Sequence, residues 1–136
     1  MLKVFSRIAV AAVFFAACSA GEIRPVDIEP GDMCSFCRMA ISEKQFAAEM
    51  IDDEGNALKF DDVGCMLRYK NGTAGSANIT ATFVTDLESK KWVKAEDAFF
   101  VRSGSMKTPM GSGIVAYSSA DKAGAGSVRF AELSMK

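Results

Sequence analysis

The sequence predicts an α+β fold in which two ββαβ-like units pack as one compact domain. Strand-like segments far outnumber helical ones, and the order strand, strand, helix, strand occurs twice along the chain. The length of 136 residues suits one domain of ordinary size. The repeat is one of pattern and not of residue identity, so it predicts architecture and says nothing about duplicated chemistry.

The first unit begins with a predicted β-hairpin. Strand-like runs at residues 46–51 and 57–60 flank a turn-forming stretch at 52–56 that is rich in Asp, Asn and Gly. This stretch superficially resembles a calcium loop, but it lacks the ligand spacing and the terminal glutamate of that motif. We therefore predict a hairpin turn.

A short helix and a further strand complete the first unit. Asp61 or Asp62 can cap the helix, because an aspartate side chain accepts from free N–H groups at a helix start. The apolar residues of this helix recur at helical spacing: Val63, Met66 and Leu67. Residues 79–85 alternate as a strand does, and the extended chain continues at 92–93 after a turn.

The second unit repeats this order. Residues 98–102 and 114–117 form the predicted strand pair, a weak helix follows at 121–125, and residues 128–130 end the unit as a strand or a helix. Strand-forming residues dominate both units, so we expect sheets to organise the domain.

The N-terminus carries an export signal. Lys3 and Arg7 form a positive region before the apolar run at 8–17, which is too short to span a membrane. Residues 15–18 (Phe-Ala-Ala-Cys) resemble the bacterial lipobox, although Phe15 replaces the usual leucine. We expect lipidation at Cys18, with simple secretion as the alternative.

These features divide the chain into three segments. Residues 1–17 are the predicted lipoprotein signal peptide, 18–30 the lipidated N-terminus and tether, and 31–136 the folded domain. Its two halves are expected at about 31–88 and 89–136.

The signal and the charge indicate where the protein acts. We expect a lipid-anchored protein of the bacterial cell envelope that faces the periplasm, and Ser19 in place of aspartate after Cys18 favours the outer membrane. The formal net charge is only −1, and no basic run exceeds Lys90-Lys91. Nucleic acid is therefore excluded as a partner.

A sulfur-rich motif stands at the start of the domain. Met33, Cys34, Cys37 and Met39 lie within seven positions, and the chain contains no histidine. Thiolates and thioethers are soft donors that suit Cu(I), whereas imidazole and carboxylate suit harder ions. The motif therefore indicates a Cu(I) site.

The number of thiols narrows the choice of metal. With Cys18 lipidated, Cys34, Cys37 and Cys65 remain, and three thiols without histidine do not complete a structural zinc shell or a four-thiolate iron–sulfur site. Cu(I) accepts lower coordination. The residues leave a second interpretation open, in which Cys34 and Cys37 form a disulfide and Cys65 stays a free thiol.

Three further sulfur positions have alternative explanations. Cys65 falls in the first turn of the predicted helix, where the dipole favours a thiolate, but it could equally be a buried core cysteine. Met50 and Met66 lie in apolar periodic segments and are predicted to fill the core. Met110 follows Pro109 in a turn, from which it can plug the core or reach the sulfur motif.

Three motifs together resemble the NosL family of nitrous oxide reductase accessory lipoproteins. They occupy residues 33–39 (Met-Cys-Ser-Phe-Cys-Arg-Met), 60–66 (Phe-Asp-Asp-Val-Gly-Cys-Met) and 108–113 (Thr-Pro-Met-Gly-Ser-Gly), in the family's order. The resemblance extends from the lipobox to about Ser119. It implies the paired ββαβ fold shared with organomercurial lyases.

The resemblance also implies a function. It predicts a Cu(I)-binding chaperone that is not an enzyme and that delivers copper for the copper sites of nitrous oxide reductase, with the reductase's assembly machinery as partner. Cys34, Cys37 and Met39 are the first-motif ligand candidates. Met110 is carried over from the Pro-Met-Gly turn, and Cys65 is held in reserve.

Two rival functions use the same residues. An envelope thiol–disulfide oxidoreductase would use Cys34 as nucleophile and Cys37 as resolving thiol, but that pair normally begins a helix after a strand of a parallel sheet. An organomercurial lyase-like enzyme would use a cysteine with Asp61 or Asp62 as proton donor. Residues 29–32 (Glu-Pro-Gly-Asp) precede the pair without such a strand, which disfavours the oxidoreductase, and the lipobox and the methionine-rich motif disfavour the lyase.

Overall fold

The computed structural model describes residues 21–72 and 78–135, which form two antiparallel sheets and two helices. The elements follow in the order β1 (Ala48–Asp52), β2 (Ala57–Phe60), α1 (Val63–Asn71), β3 (Ile79–Thr85), β4 (Trp92–Lys94), β5 (Phe99–Arg102), β6 (Ile114–Tyr117), α2 (Ala120–Ala123) and β7 (Val128–Arg129). Short 3-10 turns lie at Lys44–Phe46 and Phe130–Glu132. The predicted signal peptide and Cys18 lie outside the described residues.

The two sheets repeat one topology. The strand order is β2-β1-β3-β4 in the first sheet and β6-β5-β7 in the second, so the first strand of each unit is flanked by the second and third. All of these strand pairs are antiparallel. This confirms the predicted α+β class, with β4 as an additional edge strand of the first sheet.

The sheets join at the end of β3 and pack around a common core. Asp86 forms a parallel bridge with Ala116 of β6, and the Leu87 N–H donates to the Ala116 carbonyl at 2.9 Å. Asp86 itself is buried and accepts from the N–H groups of Ser89 and Ser118, both at 2.9 Å. The buried core cluster contains residues of both sheets, among them Met50, Met66, Phe100 and Ile114. The core roles of Met50 and Met66 are therefore confirmed.

The first hairpin turn is organised by its own aspartate. Asp52 Oδ1 accepts from the N–H groups of Glu54 at 3.0 Å and Asn56 at 2.8 Å, and Gly55 adopts a φ of +84° that favours glycine. The acidic stretch is thus a turn, as predicted.

The two helices differ in their N-caps and in how many of their residues are buried. Asp62 caps α1, because its side chain accepts from the Cys65 N–H at 2.9 Å, and the first five residues of the helix are buried. Helix α2 has four residues, no buried side chain and no side-chain hydrogen bond at its N-cap Ser119. It begins one residue before the predicted span and ends two residues earlier. Within the described residues, no helix is long and apolar enough to cross a membrane.

The outer face of the first sheet is covered by the chain that precedes the sulfur motif. Ile28 is buried, and the Val26 N–H donates to Glu49 Oε1 at 2.8 Å. Glu49 has no exposed surface, and its Oε2 has no hydrogen-bond partner among the described residues. Burial therefore raises the pKa of Glu49.

This buried carboxyl predicts a pH-dependent loss of stability. Because the pKa of Glu49 is raised in the folded state, its contribution is fully present below the ordinary value of 4.5 and is lost as the pH rises through the folded pKa. Glu49→Gln removes this titration. The free energy of unfolding of Glu49→Gln, measured in urea, should therefore rise relative to that of wild type as the pH increases above about 4.5, by about 1.4 kcal/mol for each unit by which folding raises the Glu49 pKa. Glu54→Gln, in the exposed hairpin turn, controls for the loss of a charge. Parallel pH profiles for wild type and Glu49→Gln would contradict the prediction.

Candidate metal centre

Three thiols and one carboxylate converge at the junction of the sulfur motif and α1. One ligand atom from each of Cys34, Cys37, Asp61 and Cys65 lies within 4.8 Å of all the others. Cys34, Asp61 and Cys65 are buried, whereas Cys37 is half-buried. The three cysteines are free thiols. The group can therefore hold a metal ion that is shielded from water on most sides.

A tight loop brings Cys34 and Cys37 together. Met33 bridges Ala40, the Cys34 N–H donates to the Met39 carbonyl at 2.8 Å, and the Arg38 N–H donates to the Cys34 carbonyl at 3.1 Å. Arg38 adopts a φ of +65°, an uncommon conformation for a residue with a side chain. The Ser35 N–H then ties the loop to the Lys59 carbonyl of β2 at 2.7 Å.

The step from β2 into α1 supplies the other two ligand candidates. Asp61 follows the last residue of β2, Asp62 is the helix N-cap, and Cys65 is the third helical residue. Because the Asp62 cap accepts from the Cys65 N–H, the helix start and the third thiol are held by the same carboxylate. Cys65, the reserve candidate, thus joins Cys34 and Cys37.

The hydrogen bonds of the site make Cys34 its thiolate. The Cys65 thiol donates to Cys34 and, with backbone N–H groups at Asp61, Cys37 and Phe36, lowers the pKa of Cys34 to about 6 against the effect of burial. The same hydrogen bond, together with burial and the nearby Asp61, raises the pKa of Cys65. The expectation that the helix dipole favours a thiolate at Cys65 is therefore wrong, because Cys65 acts as the hydrogen-bond donor.

Cys37 and Asp61 form the second pair of the site. Cys37 Sγ donates to Asp61 Oδ2 at 3.3 Å, and burial raises the pKa of Cys37. Asp61 Oδ1 is buried and has no hydrogen-bond partner among the described residues. A buried acceptor without a partner is costly, so a cation at this position would relieve the cost.

Sequence reasoning did not identify Asp61 as a ligand candidate. The sequence predicts Asp61 only as a possible helix cap or as a proton donor in a lyase, and in the structure the cap is Asp62. Its position directly between β2 and the N-cap was the available signal. With Asp61 the site offers four donors, so the argument that three thiols exclude zinc is wrong as it stands.

The methionine candidates lie at different depths. Met39 is 56% exposed at the surface of the loop. Met110 is half-buried, packs against the core, and its N–H donates to Asp62 Oδ2 at 3.1 Å. The roles of Met39 and Met110 as copper ligands stay predictions, as does the role of Cys18, which lies outside the described residues.

The fold and the site together define a small α+β metal-binding domain with a thiol-rich centre. The sequence profile of the NosL family matches residues 25–131, and the chain belongs to the NosL family. The crystal structure of the copper chaperone NosL from Shewanella denitrificans matches with a TM-score of 0.73 and 18% identity, over 84% of this chain and 98% of that one. At this identity the likeness establishes the fold. No curated protein matches the chain.

The order of thiol acidity predicts a titration that can be measured by thiolate ultraviolet absorbance. In the reduced, metal-free protein, one thiolate should be lost as the pH falls through about 6, and Cys34→Ala should abolish this transition. Cys65→Ala removes the main donor to Cys34 and should move the transition to higher pH.

Cys37→Ala is the comparison variant. The Cys37 thiol also interacts with Cys34, but the hydrogen bond from Cys65 is the largest cause of the lowered Cys34 pKa, so the transition should persist in Cys37→Ala and move less than in Cys65→Ala. A transition that disappears in Cys37→Ala, or that ignores Cys65→Ala, would contradict the assignment.

Proposed function

We propose that this protein is a lipid-anchored Cu(I) metallochaperone that delivers copper for the assembly of the copper sites of nitrous oxide reductase. The observation that carries the proposal is the convergence of three thiols within 4.8 Å of one another, with Cys34 as the thiolate. Copper is the cargo of such a protein and not a resident cofactor.

The donor set favours Cu(I) by its softness. Sulfur donors bind Cu(I) strongly at low coordination numbers, whereas Zn(II) requires four ligands and accepts oxygen readily. In this site the three sulfurs can hold Cu(I) without Asp61, but Zn(II) needs the Asp61 oxygen to complete four donors. A substitution of Asp61 should therefore weaken the binding of Zn(II) more than the binding of Cu(I).

The difference in exposure among the three thiols suits the transfer of copper to a partner protein. Cys34 and Cys65 are buried, whereas Cys37 is half-buried and lies at the surface end of the cluster. A ligand from a partner protein can approach the ion beside Cys37 while the two buried sulfurs still hold it. Copper then passes between proteins without release into water.

The same exposure argues against a thiol–disulfide oxidoreductase. Such an enzyme needs a thiol that is both acidic and accessible to a substrate disulfide. Here the acidic thiol, Cys34, is buried, and burial raises the pKa of the more accessible thiol, Cys37. Neither cysteine combines the two properties.

Two comparisons support copper as the cargo. The chain belongs to the NosL family, and its fold matches that of a NosL copper chaperone over most of both chains. The family motifs at residues 33–39, 60–66 and 108–113 supply the link to nitrous oxide reductase and its assembly machinery.

Metal competition with an Asp61 variant tests the cargo. The reduced domain without its lipid should bind about one Cu(I) per chain and keep it against Zn(II). Asp61→Asn should lower Zn(II) affinity at least about tenfold, while Cu(I) affinity changes by less than about threefold, because the oxygen matters mainly to the harder ion. Chelator competition measures both affinities.

Two controls accompany this measurement. Cys34→Ala should weaken both metals, and Asp97→Asn, at an exposed acid, should change neither. Zn(II) binding that outcompetes Cu(I) in the wild-type protein would overturn the proposed function.

The anchor is tested separately. Cys18→Ser removes the sulfur that carries the lipid in the proposed lipoprotein, so the protein should leave the membrane fraction for the soluble or uncleaved pool. Cys65→Ser provides a matched change at a cysteine inside the domain and should leave the membrane fraction unchanged. A mature N-terminus at a residue other than 18 would contradict the lipobox assignment.

A further inference from the structure

Asp62 makes more hydrogen bonds than a helix cap requires. Its side chain is fully buried, and Oδ1 accepts from the Cys65 N–H at 2.9 Å. Oδ2 accepts three further bonds, from Thr108 Oγ1 at 2.9 Å, from the Met110 N–H at 3.1 Å and from Ser112 Oγ at 3.1 Å. The last three donors are 46 to 50 residues away in sequence. One carboxylate therefore joins the start of α1 to a turn of the second unit.

The turn at residues 108–113 is shaped to fit against α1. Its ends are tied by bonds from Gly111 N–H to the Thr108 carbonyl at 3.0 Å and from Gly113 N–H to Thr108 Oγ1 at 3.2 Å. A Cβ on Gly64 would lie 2.4 Å from Ser112 Cβ, so only glycine at this helical position lets the turn approach so closely.

The other side of the turn is equally confined. Gly113 has a φ of +64°, and a Cβ there would lie 2.4 Å from the Ser103 carbonyl oxygen. The turn is thus held between α1 and the chain that follows β5. Close packing and hydrogen bonding to Asp62 are two independent features of the same contact.

We infer that Asp62 is a positioning residue. Its hydrogen bonds to the turn at residues 108–113, which we call the latch, hold that turn against the start of α1 beside the thiol site. The latch would thereby set the distance from the Met110 thioether to the copper. This inference rests on the proposed function and on the prediction from the sequence that Met110 adds a sulfur ligand to the three thiols. The latch acts at both ends of the contact, because the carboxylate that accepts from the Met110 N–H also accepts from the Cys65 N–H. Residues that orient metal ligands in this way control metal affinity without touching the ion.

Asp62→Asn separates the latch from the helix cap. The amide oxygen of asparagine can still accept from the Cys65 N–H, and asparagine is a good N-cap. The amide NH₂, however, is a donor and cannot accept from Met110. The hydroxyls of Thr108 and Ser112 can rotate to accept from the new NH₂, but the Met110 N–H loses its acceptor. The variant therefore releases the turn and leaves α1 capped.

The first measurement uses the metal-free protein. Amide hydrogen exchange at Met110 should be faster in Asp62→Asn than in wild type, while exchange at Cys65 should stay unchanged. Asp86→Asn is the matched control, because Asp86 is also a buried carboxylate that accepts backbone N–H groups, but it lies at the junction of the sheets. Equal exchange at Met110 in wild type and Asp62→Asn would overturn the latch.

The second measurement is a double-mutant cycle of Cu(I) affinity. Asp62→Asn should weaken Cu(I) binding about tenfold in the wild-type background. It should have no further effect in a Met110→Leu background, because the ligand that it positions is already absent. Thr108→Val, which removes one hydroxyl donor to Asp62 and leaves the Met110 N–H bond, is a milder variant and should give a smaller loss in the same direction.

Three results decide the inference. Equal losses in the wild-type and Met110→Leu backgrounds would overturn it, because Asp62 would then act through the thiols or through stability. A Met110→Leu variant with wild-type Cu(I) affinity would also overturn it. Failure of the wild-type protein to bind Cu(I) would overturn the proposed function instead, and the exchange measurement would still decide whether Asp62 holds the turn.

Discussion

The structure depends on one buried carboxylate placed where the first sheet passes into its helix. Asp62 begins α1, orients the residue that carries the third thiol, and accepts three bonds from the second unit. A buried carboxylate is costly unless its oxygens are satisfied, and here both oxygens accept hydrogen bonds. The donors must therefore stay in place for this carboxylate to remain fully satisfied. The need to satisfy the buried Asp62 carboxylate thus explains three features: the helix cap, the position of Cys65 in the site and the contact between the two units.

The adjacent residue, Asp61, is left in the opposite condition. Only one of its oxygens accepts a hydrogen bond, from Cys37, and the other is buried without a partner among the described residues. An oxygen of Asp61 lies within 4.8 Å of the Cys34 sulfur in a largely buried site, and the pKa of Cys34 is lowered to about 6. A cation bound here would meet the Cys34 thiolate and would give the unpaired Asp61 oxygen a partner. The two neighbouring aspartates thus divide two roles, since Asp62 stabilises the fold and Asp61 keeps the site receptive to a metal ion.

Most of the fold could be predicted because its signals are local. The turn around Asp52, the cap at Asp61 or Asp62 and the strand at residues 79–85 each follow from neighbouring residues, and the structure confirms them, although the burial along that strand does not alternate. The site could be predicted only in part. Soft donors identified Cys34, Cys37 and Cys65, but a search restricted to sulfur did not find Asp61. The order of thiol acidity was also missed, because the bond from Cys65 to Cys34 joins residues that only the tertiary fold brings together.

The two units share a topology, but only the first contains the residues of the thiol cluster. The first unit holds the three thiols of the cluster around a capped helix with five buried residues. In the second unit, helix α2 has four residues, buries none of them and has a cap without a side-chain bond. Its chemical contribution is the turn that presents Met110 to Asp62. A repeated ββαβ pattern therefore does not imply a repeated site. It provides a second sheet against which the start of α1 is buried, and that burial strengthens the hydrogen bonds by which Asp62 joins the two units.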